Sequence, residues 1–147
     1  MTSSDIRVKT HYNFKYLYNE LKNVALGDMH ELFFICANLG YRGKQKKSLG
    51  SNSEDRFWSS TITPEEWACY YSMVIEDSSM DFTSLKDDKI VINTIEEYAN
   101  SGMEILIKDI LKDYILKGDG PPRLDSSSTK ELTKTILHYI FDKMKEQ

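Results

Sequence analysis

Residues 28–47 read DMHELFFICANLGYRGKQKK, an almost uniformly apolar segment that passes within a few positions into a run of Arg and Lys. The first half must be buried and the second cannot be, so the fold has to enclose one helix and display the basic run after it. Met29, Leu32, Phe33, Phe34, Ile35, Cys36, Ala37 and Leu39 cover far more than one stripe of that helix, the pattern of an element packed on several sides. Asp28 with Glu31 three residues on suits its N-terminus. Gly40, which has no Cβ to clash in the left-handed region, predicts its end. Residues 41–61 then predict a long basic surface loop of Gly, Ser, Asn, Lys and Arg, pinned to the body by Phe57 and Trp58.

Around this centre the apolar spacing predicts further helices. Phe14, Leu17, Tyr18 and Leu21 fall on one face of a short helix, preceded by a polar stretch with Ile6 and Val8 that reads as an extended arm. Thr63, Pro64 and Glu66 combine a cap, a proline at the first helical position and a reciprocal glutamate. They start a helix running to about Ile75. A fourth helix is predicted over 88–100, with Ser101 and Gly102 as its end or a kink, and a fifth comes at once up to Gly118. The sequence GDGPPRLDSSS, 118–128, reads as a linker. Ser128 and Glu131 then cap a last helix whose stripe is Leu132, Ile136, Leu137, Tyr139, Ile140 and Met144. Leu132, Ile136, Tyr139 and Ile140 either fold back on the chain's own core or serve as a partner-binding surface. The expectation is an all-α, compact single-domain bundle of five or six helices: a helical core over 1–117, the linker, and the amphipathic helix over 129–147.

At 147 residues, 40% of them hydrophobic, the chain can bury a core without disulfides. No apolar run approaches the roughly 20 residues of a bilayer span, and MTSSDIRVK has no stretch like a signal peptide, so a cytoplasmic protein without membrane contact is expected. Cys36 and Cys69 lie among apolar neighbours and read as buried, reduced thiols. The net charge of −4 is unevenly spread: residues 1–60 carry nine cations and six anions, residues 61–100 two and nine.

No catalytic motif emerges. His30-Glu31 opens like a zinc-protease helix, but Phe34 stands where the second histidine is needed. The three histidines are scattered, and no phosphate-cradling glycine loop or nucleophile elbow is present. Neither an enzyme nor a metal or cofactor is expected. The concentrated positive feature is Arg42, Lys44, Lys46 and Lys47, with Arg56 later in the same loop. Such a cluster serves phosphate binding by counterion release, with Tyr41, Phe57 and Trp58 available to stack; it equally serves an acidic protein partner, or solvation alone.

The run FFICANLGYRGKQKKSL, with TIEEYANSGMEILIKDIL later in the chain, resembles the bacterial family called Dnd system-associated protein 4. The resemblance covers about residues 7–117 and rests on Cys36, Leu39, Gly40 and Tyr41, then Glu97, Tyr98, Ala99, Asn100 and Gly102. It implies a non-catalytic accessory subunit of a multi-protein anti-phage defence system linked to DNA phosphorothioation. Its partner would be a larger ATPase or nuclease, which the subunit helps to engage DNA. The other reading is a stand-alone DNA-binding regulatory protein that works through the basic loop 41–56.

Overall fold

A computed structural model describes residues 5–23, 27–116, 118–125 and 129–145, without the side chains of residues 129, 130 and 144. It shows five α-helices and two strands: β1 (Arg7–His11), α1 (Lys15–Leu21), α2 (Met29–Arg42), β2 (Ser53–Trp58), α3 (Pro64–Asp77), α4 (Asp88–Asp109) and α5 (Thr129–Lys145). The fold is therefore mostly α, and the all-α expectation is corrected by an antiparallel pair of strands. The arm before α1 is β1. It pairs with β2 from Arg7↔Trp58 to His11↔Ser53, with a bulge between Val8 and Lys9. No hairpin turn joins these strands; two helices lie between them in sequence, which is why turn chemistry gave no hint of the pairing. Val8 and Thr10 alternate inward from β1, and Phe57 from β2 meets Phe33 edge-on at 5.1 Å between ring centroids.

The enclosed helix is α2, as its composition requires: Leu32, Phe33, Cys36 and Ala37 are fully buried. It does not end at Gly40 but continues to Arg42, and the left-handed residue that reverses the chain is Lys44, at φ +57°. Gly40 has a different task. A Cβ there would lie 1.9 Å from the carbonyl oxygen of Tyr98, and one on Gly102 would lie 1.6 Å from the carbonyl oxygen of Cys36. The two glycines thus let the backbones of α2 and α4 touch reciprocally at their crossing. Gly102 consequently interrupts nothing: the expected fourth helix and the first part of the expected fifth are one continuous α4 of 22 residues, and the described rest of the expected fifth, from Ile110 on, is not α-helix.

The cap of α3 forms as read: Thr63 Oγ1 accepts from the Glu66 amide at 3.1 Å, and Glu66 Oε1 accepts from the Thr63 amide at 3.0 Å. After α4, a 3-10 turn over Leu111–Tyr114 leads into a short reversal held by an antiparallel bridge between Ile115 and Leu124. Leu124 is buried, and its amide donates to Glu20 Oε1 at 2.8 Å. The described part of the segment read as a linker is thus tied to α1. Ser128, expected to cap α5, lies outside the described residues, as does the side chain of Met144. Leu132 and Ile136 of α5 are 1% and 0% exposed and share one core with α1, α2, α3 and α4.

One core carboxylate gives a testable pH dependence. Glu96 on α4 is buried and accepts from the Lys9 amide of β1 at 2.8 Å. Burial raises its pKa above the ordinary 4.5, partly offset by that hydrogen bond and by Lys89 and Lys9. The folded protein therefore holds this proton to higher pH than the unfolded chain does. Its contribution to stability is largest below the unfolded value and declines as pH rises through the folded one. Glu96→Gln keeps an acceptor for Lys9 and removes the titration. Its stability relative to wild type is expected to rise with pH across that window, measured by urea unfolding at a series of pH values; a constant difference would refute the account.

Candidate interaction surface

The predicted basic loop is not a free loop. After the turn at Lys44 the chain runs as a strap across α4: the Gln45 amide donates to Gly40 O at 3.1 Å and the Lys47 amide to Glu97 O at 3.1 Å. Asn100, buried on α4, donates from Nδ2 to the carbonyls of Lys47 and Ser48 at 3.1 and 3.2 Å. These bonds occupy backbone groups that a solvated loop would leave to water, so the strap is held by main chain as well as by charge.

Charge adds the second layer. Lys46 pairs with Asp77 at 2.9 Å, and Lys47 pairs with Glu104. Asp77 also accepts from the Tyr98 hydroxyl at 2.8 Å, and Tyr41 donates to Glu76. Burial, then the Asp77 carboxylate, hold the Tyr98 hydroxyl protonated well above its ordinary range. Arg56 is on β2 rather than in a loop. Its side chain is 5% exposed, donates from Nε to Thr10 Oγ1 at 2.8 Å, pairs with Glu54 at 3.3 Å and lies over the Tyr18 ring. It braces the strand pair against α1. Lys46 with Asp77 joins the basic N-terminal part of the sequence to its acidic middle, Lys47 reaches beyond it to Glu104, and Arg56 is paired within the N-terminal part itself. Of the five predicted cations, Arg42 and Lys44 face no carboxylate among the described residues; Arg42 Nη1 donates to the Lys143 carbonyl at 3.1 Å.

The thiols point away from nucleophilic chemistry. Burial pushes Cys36 up to about 12, against the direction that activates a cysteine, and burial also raises Cys69. Among the described residues, Asp28, His30 and Glu31 bring ligand-type atoms within 4.8 Å of one another. Glu66 holds His30 Nδ1 at 3.0 Å, tying the start of α2 to the start of α3, and acids at a helix start suit its dipole. No helix of the described residues is long and apolar enough to cross a membrane.

The four residues read as partner-binding on α5 divide into two kinds. Leu132 and Ile136 face the chain's own core and are not available to another protein. Tyr139 and Ile140 are half-buried at its margin, with the Tyr139 hydroxyl donating to Asp109 at 2.7 Å. Beside them, Leu137 and Phe141 are 55% and 57% exposed, one helical turn apart. Sequence reasoning placed Leu137 in the buried stripe and passed over Phe141. Their positions at 137 and 141 extend the apolar sector beyond what one packed face can cover, and that width was the available signal. Between α2 and α5 lies a cleft of about 240 Å³ lined by Phe34, Ile35, Asn38, Leu39, Arg42, Ile140 and Lys143.

The chain matches no family model, no curated protein and no solved structure. Two segments far apart in sequence meet in space, Cys36 and Gly40 against Tyr98 and Gly102. The role of those residues in this fold is to let two helices cross at backbone contact.

Proposed function

We propose that this chain is a non-catalytic accessory subunit of a multi-protein bacterial defence system and binds a larger ATPase or nuclease partner. The placement in defence rests on the resemblance. The observation that carries the preference for a protein partner over a stand-alone DNA-binding role is that Lys46, Lys47 and Arg56 are paired with the chain's own carboxylates, which compete with phosphate for them. The exposed apolar pair on α5 supports the same choice, since apolar side chains contribute to protein interfaces and add little to phosphate contact.

The experiment has two arms. Co-expressed with the products of its neighbouring genes, the protein is expected to co-purify with one of them as a defined complex. Alone, at physiological salt, it is expected to bind duplex DNA no more tightly than a non-specific protein of its charge. The variant Arg42→Ala, Lys44→Ala, Lys46→Ala, Lys47→Ala should remain folded, because exposed ion pairs contribute about 0–1 kcal/mol each. Tight DNA binding by the isolated chain, with a salt slope that falls by about 0.9 per lost phosphate contact in this variant, would overturn the reading in favour of a DNA-binding regulator.

A further inference from the structure

The cleft between α2 and α5 has a shape and a charge that specify its occupant. Its walls are Phe34 and Ile35 on one side and Ile140 on the other, with Arg42 and Lys143 at one end. A second hollow of about 270 Å³ adjoins it, sharing Leu39, Arg42 and Lys143. Each is below the roughly 300–1,000 Å³ of small-molecule sites but large enough for one apolar side chain, since an engineered cavity of ~150 Å³ takes benzene. Ile140 and Leu137 are three apart on α5 and so are neighbours on its surface, which carries the apolar wall out to Leu137 and Phe141.

The charged side chains that line the two hollows, Arg42 and Lys143, are both cationic, while Glu131 and Asp142 also stand exposed on α5 outside them. Along the outer stripe of α5, exposed Lys134 and Lys145 bracket the pair, and Lys145 lies over the Phe141 ring at 4.4 Å. Where the two hollows adjoin, the Arg42 guanidinium bonds the Lys143 carbonyl and faces no carboxylate among the described residues. A second copy of this chain fits poorly: antiparallel pairing of two α5 helices on Leu137 and Phe141 sets Lys134 of one opposite Lys145 of the other. We propose that the α2–α5 groove binds an acidic amphipathic helical segment of another protein, its apolar side chains in the two hollows and its carboxylates on Arg42 and the lysines of α5. This rests on the accessory-subunit reading and names the surface and partner chemistry it would use.

The test uses the full chain and defined peptides of about 15 residues, near the length at which isolated helices form. One carries Leu and Phe four apart with flanking Glu, a second replaces Glu with Lys, and a third replaces Leu and Phe with Ala. The Glu peptide is expected to shift the amide resonances of Ile35, Leu39 and Ile140 and to bind at least ~10-fold more tightly than either control, about 1.4 kcal/mol. Arg42→Glu and Phe141→Ala, both at exposed positions, should each weaken it without altering the circular dichroism spectrum. Equal binding of all three peptides, or shifts centred on the exposed Met80 and Phe82 instead, would overturn the proposal. So would self-association of the free protein through the same residues. If wild type co-purifies with a neighbouring gene product and Arg42→Glu with Phe141→Ala still does so, the groove is refuted and the subunit reading stands. If wild type forms no complex at all, the subunit reading fails and the peptide titration alone decides the groove.

Discussion

Gly102→Ala is expected to abolish the native fold or leave it severely destabilised, and Gly40→Ala to do nearly the same. In each case the new methyl group meets a main-chain carbonyl of the other helix, at 1.6 and 1.9 Å respectively, and neither obstacle is a flexible side chain that can swing aside. Relief requires α2 and α4 to separate, and both helices are central to the core, with Cys36, Ala37, Ile95 and Met103 fully buried. Overpacking usually costs about 1–3 kcal/mol and more where backbone must move, so a loss of about 3 kcal/mol or more is expected from a total near 5–15. That corresponds to a fall in Tm of about 10 °C or an inability to purify folded protein. Gly120→Ala is the control, because a Cβ there meets nothing within 4 Å. A Gly102→Ala protein that melts within a few degrees of wild type would show that the helix crossing is looser than these distances require.

The second large effect separates two adjacent residues of α5. Ile136→Ala removes a side chain with no exposure from a core shared with four other helices, and large-to-small changes of this kind cost about 2–5 kcal/mol. Leu137→Ala, one position on, removes a side chain that is 55% exposed and should change stability by about 0.5 kcal/mol or less. Chemical unfolding of the two variants decides the matter. Similar, small effects would mean that α5 leaves the body easily and that its stripe serves another chain. The contrast also sorts the α5 residues by role, because Leu137→Ala is expected to matter only where a partner is present.

Charge that is paired within the chain changes how the basic segment should be mutated. Substituting Lys46 or Lys47 removes a partner of Asp77 or Glu104, so lost binding in such variants has to be separated from a loosened strap. Arg56 is more confounded still, since it braces Thr10, Glu54 and Tyr18. Arg42 is the clean probe: it is exposed and its described bond is to a carbonyl.

Features that depend on neighbours three or four residues away were legible in the chain itself. The Thr63–Pro64–Glu66 start of α3, the enclosed character of α2 and the inward face of Phe14, Leu17, Tyr18 and Leu21 come from periodicity and capping, which are local and therefore written contiguously. Features that join distant segments took their form from the folded chain alone. The β1–β2 pair brings Arg7 opposite Trp58 with no turn signal between them, and β2 itself is mostly polar because a single core residue, Phe57, anchors it. Gly40 and Gly102 carry the same local signature whether they end a helix or admit a second backbone, and only the presence of the other helix selects the second role. The basic run looks solvated in sequence because its carboxylate partners lie on α3 and α4, tens of residues away. The candidate groove was half legible: the breadth of the apolar sector on α5 is local information, but which part of it is covered depends on the core formed by the other helices, which takes in Leu132 and Ile136.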